Sequence, residues 1–245
     1  MGFLSWPLFS FAHERLLKVG TTGDYQPMTW HDEKTQQYVG FDMDMARYIA
    51  NHLHAKLIFV KTTWKTLEQD LLNEKFDIAM SGISVTPERE KNFDFSHTVL
   101  TDKKVVVLRC MDEKKLNSWD SVNQKTVRLI ENQGGTNEIF AEKNAKKAHL
   151  ILYKDNRLIF EQIINNKADA MVTDSLEADY QIHQRSALCI LDLPEAISPI
   201  SKKAYMLRKK ETILLHDINL ILQEMKSDKT LNNIAKKWNI NEESY

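Results

Sequence analysis

Arg89 ends the segment SGISVTPER, just past a β-rich apolar run. Its planar guanidinium can grip a carboxylate through two parallel hydrogen bonds, with Ser84 as a polar neighbour. The same residues also form an ordinary helix opening, Thr86 at the cap and Pro87 and Glu88 after it, although such an opening requires no arginine. Farther on, Gly134 and Gly135 precede Thr136 and Asn137, where a helix should begin, so backbone N–H groups and the helix dipole can face an anion. A bare GGT is equally a strand-to-helix turn with Thr136 as its cap. Tyr25 and Trp64 each follow an expected strand beside turn residues, where core packing and the lining of a pocket are both open. Asp174 and Glu177 stand three apart in TDSLEA, the spacing of a capping box in which Asp174 takes the cap and Glu177 reaches back. Metal chemistry has no such basis: Cys110 and Cys189 lack zinc-site spacing, and His52 and His54 point to different faces of an expected helix, as surface residues.

The elements that position these residues follow from composition and period. The chain has 245 residues, 42% hydrophobic, with 33 Lys+Arg against 34 Asp+Glu. That balance excludes an acidic tail protein and a polyanion binder, so nucleic acid is not an expected partner. With 7 Gly and 5 Pro there is no flexible linker. No apolar run reaches the roughly 18 residues of a membrane span, and no stable membrane association is expected. Short β-rich runs alternate with helical segments, the signature of α/β architecture with mainly parallel strands. Strands are expected at 16–21, 56–61, 76–80 and 105–108, then 126–130, 149–153, 168–173 and 204–207. Helices are expected at 41–53, 66–73, 136–144, 157–165, 211–225 and 231–238. Two α/β series without a linker imply two lobes, 14–106 plus 203–245 and 107–202, joined near Lys103–Leu108 and Ser201–Tyr205, with the ligand cleft between them. The uncharged stretch Gly2 to Ala12 has the length of a signal-peptide apolar core, with Ser10 and Ala12 as small residues before a cleavage point; residues 1–13 are read as a possible signal remnant or as a segment packed on the domain.

The segments VGTTGDYQP, GFDMDMA, FDIAMSGISVTPER and NQGGTNE and the closing Lys237-Trp238 together resemble the periplasmic solute-binding proteins for polar amino acids, from about Leu16 to Trp238. Within that superfamily TTGDY, TTW, NQGGTNE and TDSLEA resemble the cyclohexadienyl dehydratases, which convert prephenate to phenylpyruvate and arogenate to phenylalanine. The resemblance implies a type II periplasmic-binding-protein fold, a periplasmic location and a small-molecule substrate. It makes Arg89, with Ser84, the carboxylate anchor, and Thr136 and Asn137 contacts from the second lobe with Asn132 beside them. Tyr25 and Trp64 then suit a flat cyclohexadiene ring, and Asp24 and Ser81 complete that wall. Donors from both lobes suit a dicarboxylate.

In amino-acid receptors of this type the Asp of the TDSLEA segment holds the ligand ammonium, whereas the dehydratase resemblance makes Glu177 the general acid. Asn137 joins it at the reacting centre, and Asp174 is a candidate for the arogenate ammonium. Hydroxide leaves poorly, so a proton must arrive as the ring C–O bond breaks, and one placed acid is worth about 10² to 10⁴ in rate. Aromatisation drives the reaction, so no cofactor or metal is expected. The competing expectation is a non-catalytic binding subunit of a transporter, and oligomeric state is open. Export predicts that Cys110 and Cys189, at the ends of strands in the second lobe, form a disulfide.

Overall fold

The computed structural model describes residues 15–241 and 244. The expected signal remnant lies outside them.

The chain opens with β1 (Leu16–Thr21), a small hairpin sheet of β2 (Asp24–Tyr25), β3 (Thr29–Asp32) and β4 (Gln37–Val39), and helix α1 (Phe41–His52). Asp42 and Asp44 lie in the first turn of α1, where negative charge meets the helix dipole, and Phe41, Met45 and Ile49 fill its buried stripe. Next come β5 (Lys56–Lys61), α2 (Leu67–Leu72), β6 (Ile78–Ala79), α3 (Pro87–Glu90) and β7 (Phe93–Phe95). After β8 (Leu100–Asp102) the chain enters the second lobe. That lobe holds β9 (Lys104–Arg109), α4 (Trp119–Val122), β10 (Arg128–Asn132), α5 (Thr136–Asn144), β11 (His149–Tyr153), α6 (Ile159–Ile164), β12 (Ala170–Asp174), α7 (Ser175–Gln184) and β13 (Leu188–Asp192). It returns through β14 (Ser201–Lys203) to β15 (Met206–Arg208), α8 (Thr212–Ser227) and α9 (Thr230–Lys237).

Each lobe is a five-stranded sheet with helices on both faces, in the orders β5-β1-β6-β15-β7 and β11-β10-β12-β9-β13. The expectation of mainly parallel strands needs correction. Each sheet has two parallel pairings, around β1 or β10, and two antiparallel ones, around β15 or β9. β9 and β15 enter from the opposite lobe and so run against the strands they join. The lobe boundary expected at 106/107 falls inside β9, which pairs along its whole length with β13 and β12; the crossing comes before Lys104. At the crossing β8 and β14 pair antiparallel, Asp102 opposite Ser201 and Leu100 opposite Lys203. This two-stranded ribbon joins the two lobes.

Lobe 1 packs α1, α8 and α9 on one sheet face through Phe41, Met45, Ile49, Ile218 and Leu222, and α2 on the other through Leu67, Leu71 and Phe76. Lobe 2 does the same with Val106, Leu129 and Ala141 against Val107, Phe160 and Ile163. Cys110 and Cys189 form a disulfide that ties β13 to the end of β9. By chain-entropy arithmetic, closing a loop of 79 residues is worth about 4.5 kcal/mol.

Candidate active site

The lobe 1 wall grows from two strand ends. Beyond β1 the chain turns into Asp24 and Tyr25; Tyr25 is 3% exposed and meets Trp64 edge-on, ring centres 5.8 Å apart. The Trp64 indole donates to Asp24 Oδ1 at 3.1 Å. Beyond β6 the loop Ser81–Ser84 turns on Gly82 at φ +63°, where a Cβ would stand 2.4 Å from the Tyr25 ring. The Gly82 N–H donates to buried Asp42 Oδ2 at 2.5 Å. Ser81 Oγ accepts from Thr22 N at 3.0 Å, stitching the loop to β1 from behind. Arg89 is 6% exposed; its Nη1 donates to Ser84 O and its Nε to Glu68, both at 3.0 Å. The helix opening coexists with this, since Thr86 Oγ1 accepts from Arg89 N at 3.3 Å.

The lobe 2 wall rises from β10 and β12. Gly134, at φ +84°, packs against the backbone of Lys65 from lobe 1, where a Cβ would stand 2.5 Å away. The cap of α5 is Gly135, not Thr136, and it makes no side-chain bond. The Thr136 hydroxyl instead accepts from Lys104 Nζ at 3.0 Å, and Asn137 Oδ1 accepts from the same ammonium. Asn137 Nδ2 donates to Asn132 Oδ1 at 3.0 Å and to Thr173 Oγ1 at 3.3 Å. The Thr173 hydroxyl donates to Glu177 Oε2 at 2.5 Å. No capping box forms at α7: Asp174 holds the N-cap position without a side-chain cap bond, because its carboxylate is engaged elsewhere.

That engagement is the charged centre of the cleft. Asp174 Oδ2 accepts from Lys203 Nζ at 2.6 Å and from the Tyr25 hydroxyl at 2.7 Å, and Oδ1 faces Lys104 Nζ at 2.8 Å. Lys203, 2% exposed, also donates to Ser84 Oγ at 2.9 Å. Asp102, at the end of β8, stands 3.9 Å from Lys203 and accepts from the Ser175 hydroxyl at 2.5 Å. Lys104 and Lys203 were not foreseen from sequence. Each is the second residue of a KK pair next to a buried strand, and that adjacency was the available signal.

Burial would push the Asp174 carboxyl up, but Lys104 and Lys203 outweigh it and hold it well below the usual carboxylate range. Glu177, one turn on, has the opposite fate. Burial pushes it up to about 8 against the Thr173 hydrogen bond, with the Asp174 charge adding to the rise. Glu177 therefore carries its proton at neutral pH. Burial, then the Asp174 charge, lifts Asp102 to about 6, and burial lifts Asp42 to about 7.

Tyr25, Trp64, Ser84, Arg89, Asn132, Thr136, Asn137 and Asp174 line one pocket, joined by Gly82, Gly135 and Asn156. Glu177, Asp24 and Ser81 stand behind its walls. Across the cleft Asn156 Nδ2 donates to Asp24 O at 2.9 Å and Gln26 to the Tyr180 hydroxyl at 3.1 Å, and Arg157 pairs with Glu33 at 2.5 Å. The walls leave about 20 Å³ between them, so a ring-sized ligand enters only when the lobes part. A larger groove of about 510 Å³ runs between α7 and the segment after α9, lined by Asp179, His183, Gln184, Lys236 and Asn239 among others, and it shares no residue with this pocket.

The family model of bacterial extracellular solute-binding proteins, family 3, matches residues 17–241. A cyclohexadienyl dehydratase of Pseudomonas aeruginosa is 42% identical over 196 residues, 80% of this chain and 72% of its own. The crystal structure of an ancestral amino acid-binding protein, described as a precursor of cyclohexadienyl dehydratase, superposes with a TM-score of 0.84 at 34% identity, over 91% of this chain and 95% of that one. An ancestral arginine-binding protein, bound to arginine, does so with 0.81 at 29% identity, over 92% and 99%.

Proposed function

We propose that this chain, which belongs to the bacterial extracellular solute-binding proteins of family 3, is an exported, periplasmic cyclohexadienyl dehydratase. It converts prephenate to phenylpyruvate and arogenate to phenylalanine. The observation that carries this reading is Glu177: a carboxyl 1% exposed, pushed up to about 8 by burial, in hydrogen-bonded sequence with Thr173, Asn137 and the pocket. An elimination needs such a proton source beside the leaving group.

Arg89 is the cation on the pocket wall; Lys104 and Lys203 hold Asp174, Asp102 lies 3.9 Å from Lys203, and Glu68 takes Arg89 Nε, so the outer Nη2 edge of Arg89 is left for a substrate carboxylate. Arg89 anchors the side-chain carboxylate, while Lys104 and Thr136 serve the other wall. Tyr25 and Trp64 flank the ring. The Glu177 proton passes to the ring hydroxyl as its C–O bond breaks. The electron pair of the bond to the ring carboxylate moves into the ring, and carbon dioxide and water leave. Glu177, now a carboxylate, regains a proton when the lobes part. The substrate carboxylates supply no proton, and the chain's own residues suffice for each step.

Purified protein mixed with prephenate should form phenylpyruvate, read by its absorbance. No product, together with tight binding of a polar amino acid, would instead establish the transport-receptor reading.

A further inference from the structure

We infer that Asn156 receives the hydrogen of the leaving hydroxyl and so turns that oxygen's lone pair toward the general acid; the inference rests on the dehydratase reading of the same site. Asn156 is 4% exposed, sits in a short 3-10 turn before α6, and lines the pocket beside Trp64 and Asn137. Its amide is oriented by the opposite lobe. Nδ2 donates to the carbonyl of Asp24 at 2.9 Å, so a flipped amide would set two oxygens against each other. Oδ1 is therefore the free end, and it has no hydrogen-bond partner among the described residues.

A buried acceptor left unpaired is costly and calls for a donor. The other side-chain amide and carboxylate oxygens on the pocket wall face a donor or, for Asp174 Oδ1, which makes no hydrogen bond, the Lys104 ammonium. Asn132 Oδ1 receives Asn137 Nδ2, Asn137 Oδ1 receives Lys104, and the Asp174 oxygens face Lys203, Tyr25 and Lys104. A 4-hydroxycyclohexadiene dicarboxylate with a 2-oxo side chain has one donor in the whole molecule, its ring hydroxyl. One orphan acceptor meets one donor.

The placement also suits the reaction. Asp24 holds Asn156 through its backbone and lies near enough to Glu177 for its charge to help raise that carboxyl, so acceptor and acid flank the same residue. With its hydrogen committed to Asn156 Oδ1, the hydroxyl presents a lone pair for the Glu177 proton. The C–O bond then breaks, its electron pair leaving with the oxygen as water, while the carboxylate–ring bond supplies the pair that completes the aromatic ring. Asn156 is neither protonated nor oxidised in this step.

The test uses Asn156→Leu, which keeps the size and removes the acceptor, and Asn156→Ala. On prephenate, kcat should fall about ten- to hundredfold in both. Both variants also lose the Nδ2 bond to Asp24, so the affinity for phenylpyruvate, which lacks the hydroxyl, should weaken in calorimetry by about fivefold at most, clearly less than the fall in kcat, whereas a merely structural role would lower both together. Unchanged kcat, or parallel loss of kcat and phenylpyruvate affinity with a lowered melting temperature, overturns the inference. If the wild type binds prephenate without turning it over, the dehydratase reading falls. Prephenate affinity, weakened in Asn156→Leu relative to phenylpyruvate, then still decides the hydroxyl contact. Absence of prephenate binding overturns both.

Discussion

The two lobes share a floor and differ at the rim. In lobe 1, Asp77 before β6 accepts from Lys18 N of β1 at 2.8 Å, and Arg208, ending β15, donates to Leu71 O and Phe76 O, closing the C-terminus of α2. In lobe 2, Asp169 before β12 accepts from Arg128 N of β10 at 2.8 Å, and Arg109, ending β9, donates to Ile163 O and Ala168 O, closing the C-terminus of α6. One device serves twice. At the carboxyl ends of the same strands the resemblance stops. β6 runs into a glycine turn that leads to Arg89, whereas β12 runs straight into α7 and places Asp174 and Glu177 within one turn. Fold is kept at one end of each sheet and chemistry differs at the other: lobe 1 presents a buried arginine, lobe 2 a carboxyl raised by burial beside a clamped carboxylate.

The largest break in this division is Glu177→Gln. It keeps side-chain size and the Thr173 bond but has no transferable proton, so kcat should fall about 10²- to 10⁴-fold while substrate affinity changes little. Wild-type kcat in this variant, on prephenate and on arogenate, would remove the acid from lobe 2.

Arg89→Ala strikes the opposite wall. Loss of one partner of a buried charged contact costs about 3 to 5 kcal/mol, roughly two to three and a half decades in affinity. Phenylpyruvate and prephenate dissociation constants should both weaken to that extent, because the side-chain carboxylate survives the reaction. Constants within threefold of wild type would move the anchor to Lys104 or Lys203.

How far this was legible in sequence differs by region for the same physical reason. Strands 56–61 and 149–153 and helix 136–144 coincide with β5, β11 and α5, where periodicity and punctuation agree. The β2–β4 hairpins, β7 and β8 were missed; each strand is four residues or fewer, too short for alternation to register. Among site residues, Arg89, Thr136, Asn137 and Asp174 do meet in one pocket, but the spacing of Asp174 and Glu177 suggested a cap that does not form. Lys104, Lys203, Asp102 and Asn156 could not be read because their partners lie 29 to 132 residues away, and a lone lysine ordinarily signals a solvated face.

The contrast between Asp174 and Glu177 sharpens with pH. A carboxyl raised to about 8 is protonated below that pH, so kcat should hold through neutrality and fall about tenfold per unit above it. The stability contribution has the same sign: present in full below the usual carboxylate range, it is lost as pH rises through the raised value. Asp42, at about 7, titrates nearby, so the diagnostic is that the alkaline limb vanishes from the residual activity of Glu177→Gln. A limb retained there would assign it to Asp42 and the Gly82 turn it holds.

The smallest expected effect is at the mouth of the cleft. Arg157 of lobe 2 meets Glu33 of lobe 1 at 2.5 Å, and the Glu33 side chain is 71% exposed. Arg157 keeps Asp155 as a second partner at 3.0 Å, so removing Glu33 strands no charge. An exposed pair of this kind is worth about 0 to 1 kcal/mol and is screened by salt. Glu33→Ala should therefore raise KM by no more than about fivefold, with kcat unchanged and the difference shrinking at high ionic strength. The buried cross-lobe bonds from Tyr25 to Asp174 and from Asn156 to Asp24 remain to hold the closed state. A hundredfold rise in KM would mean that closure is governed by the rim pair and not by those buried contacts, and the two lobes would then owe their partnership to the surface.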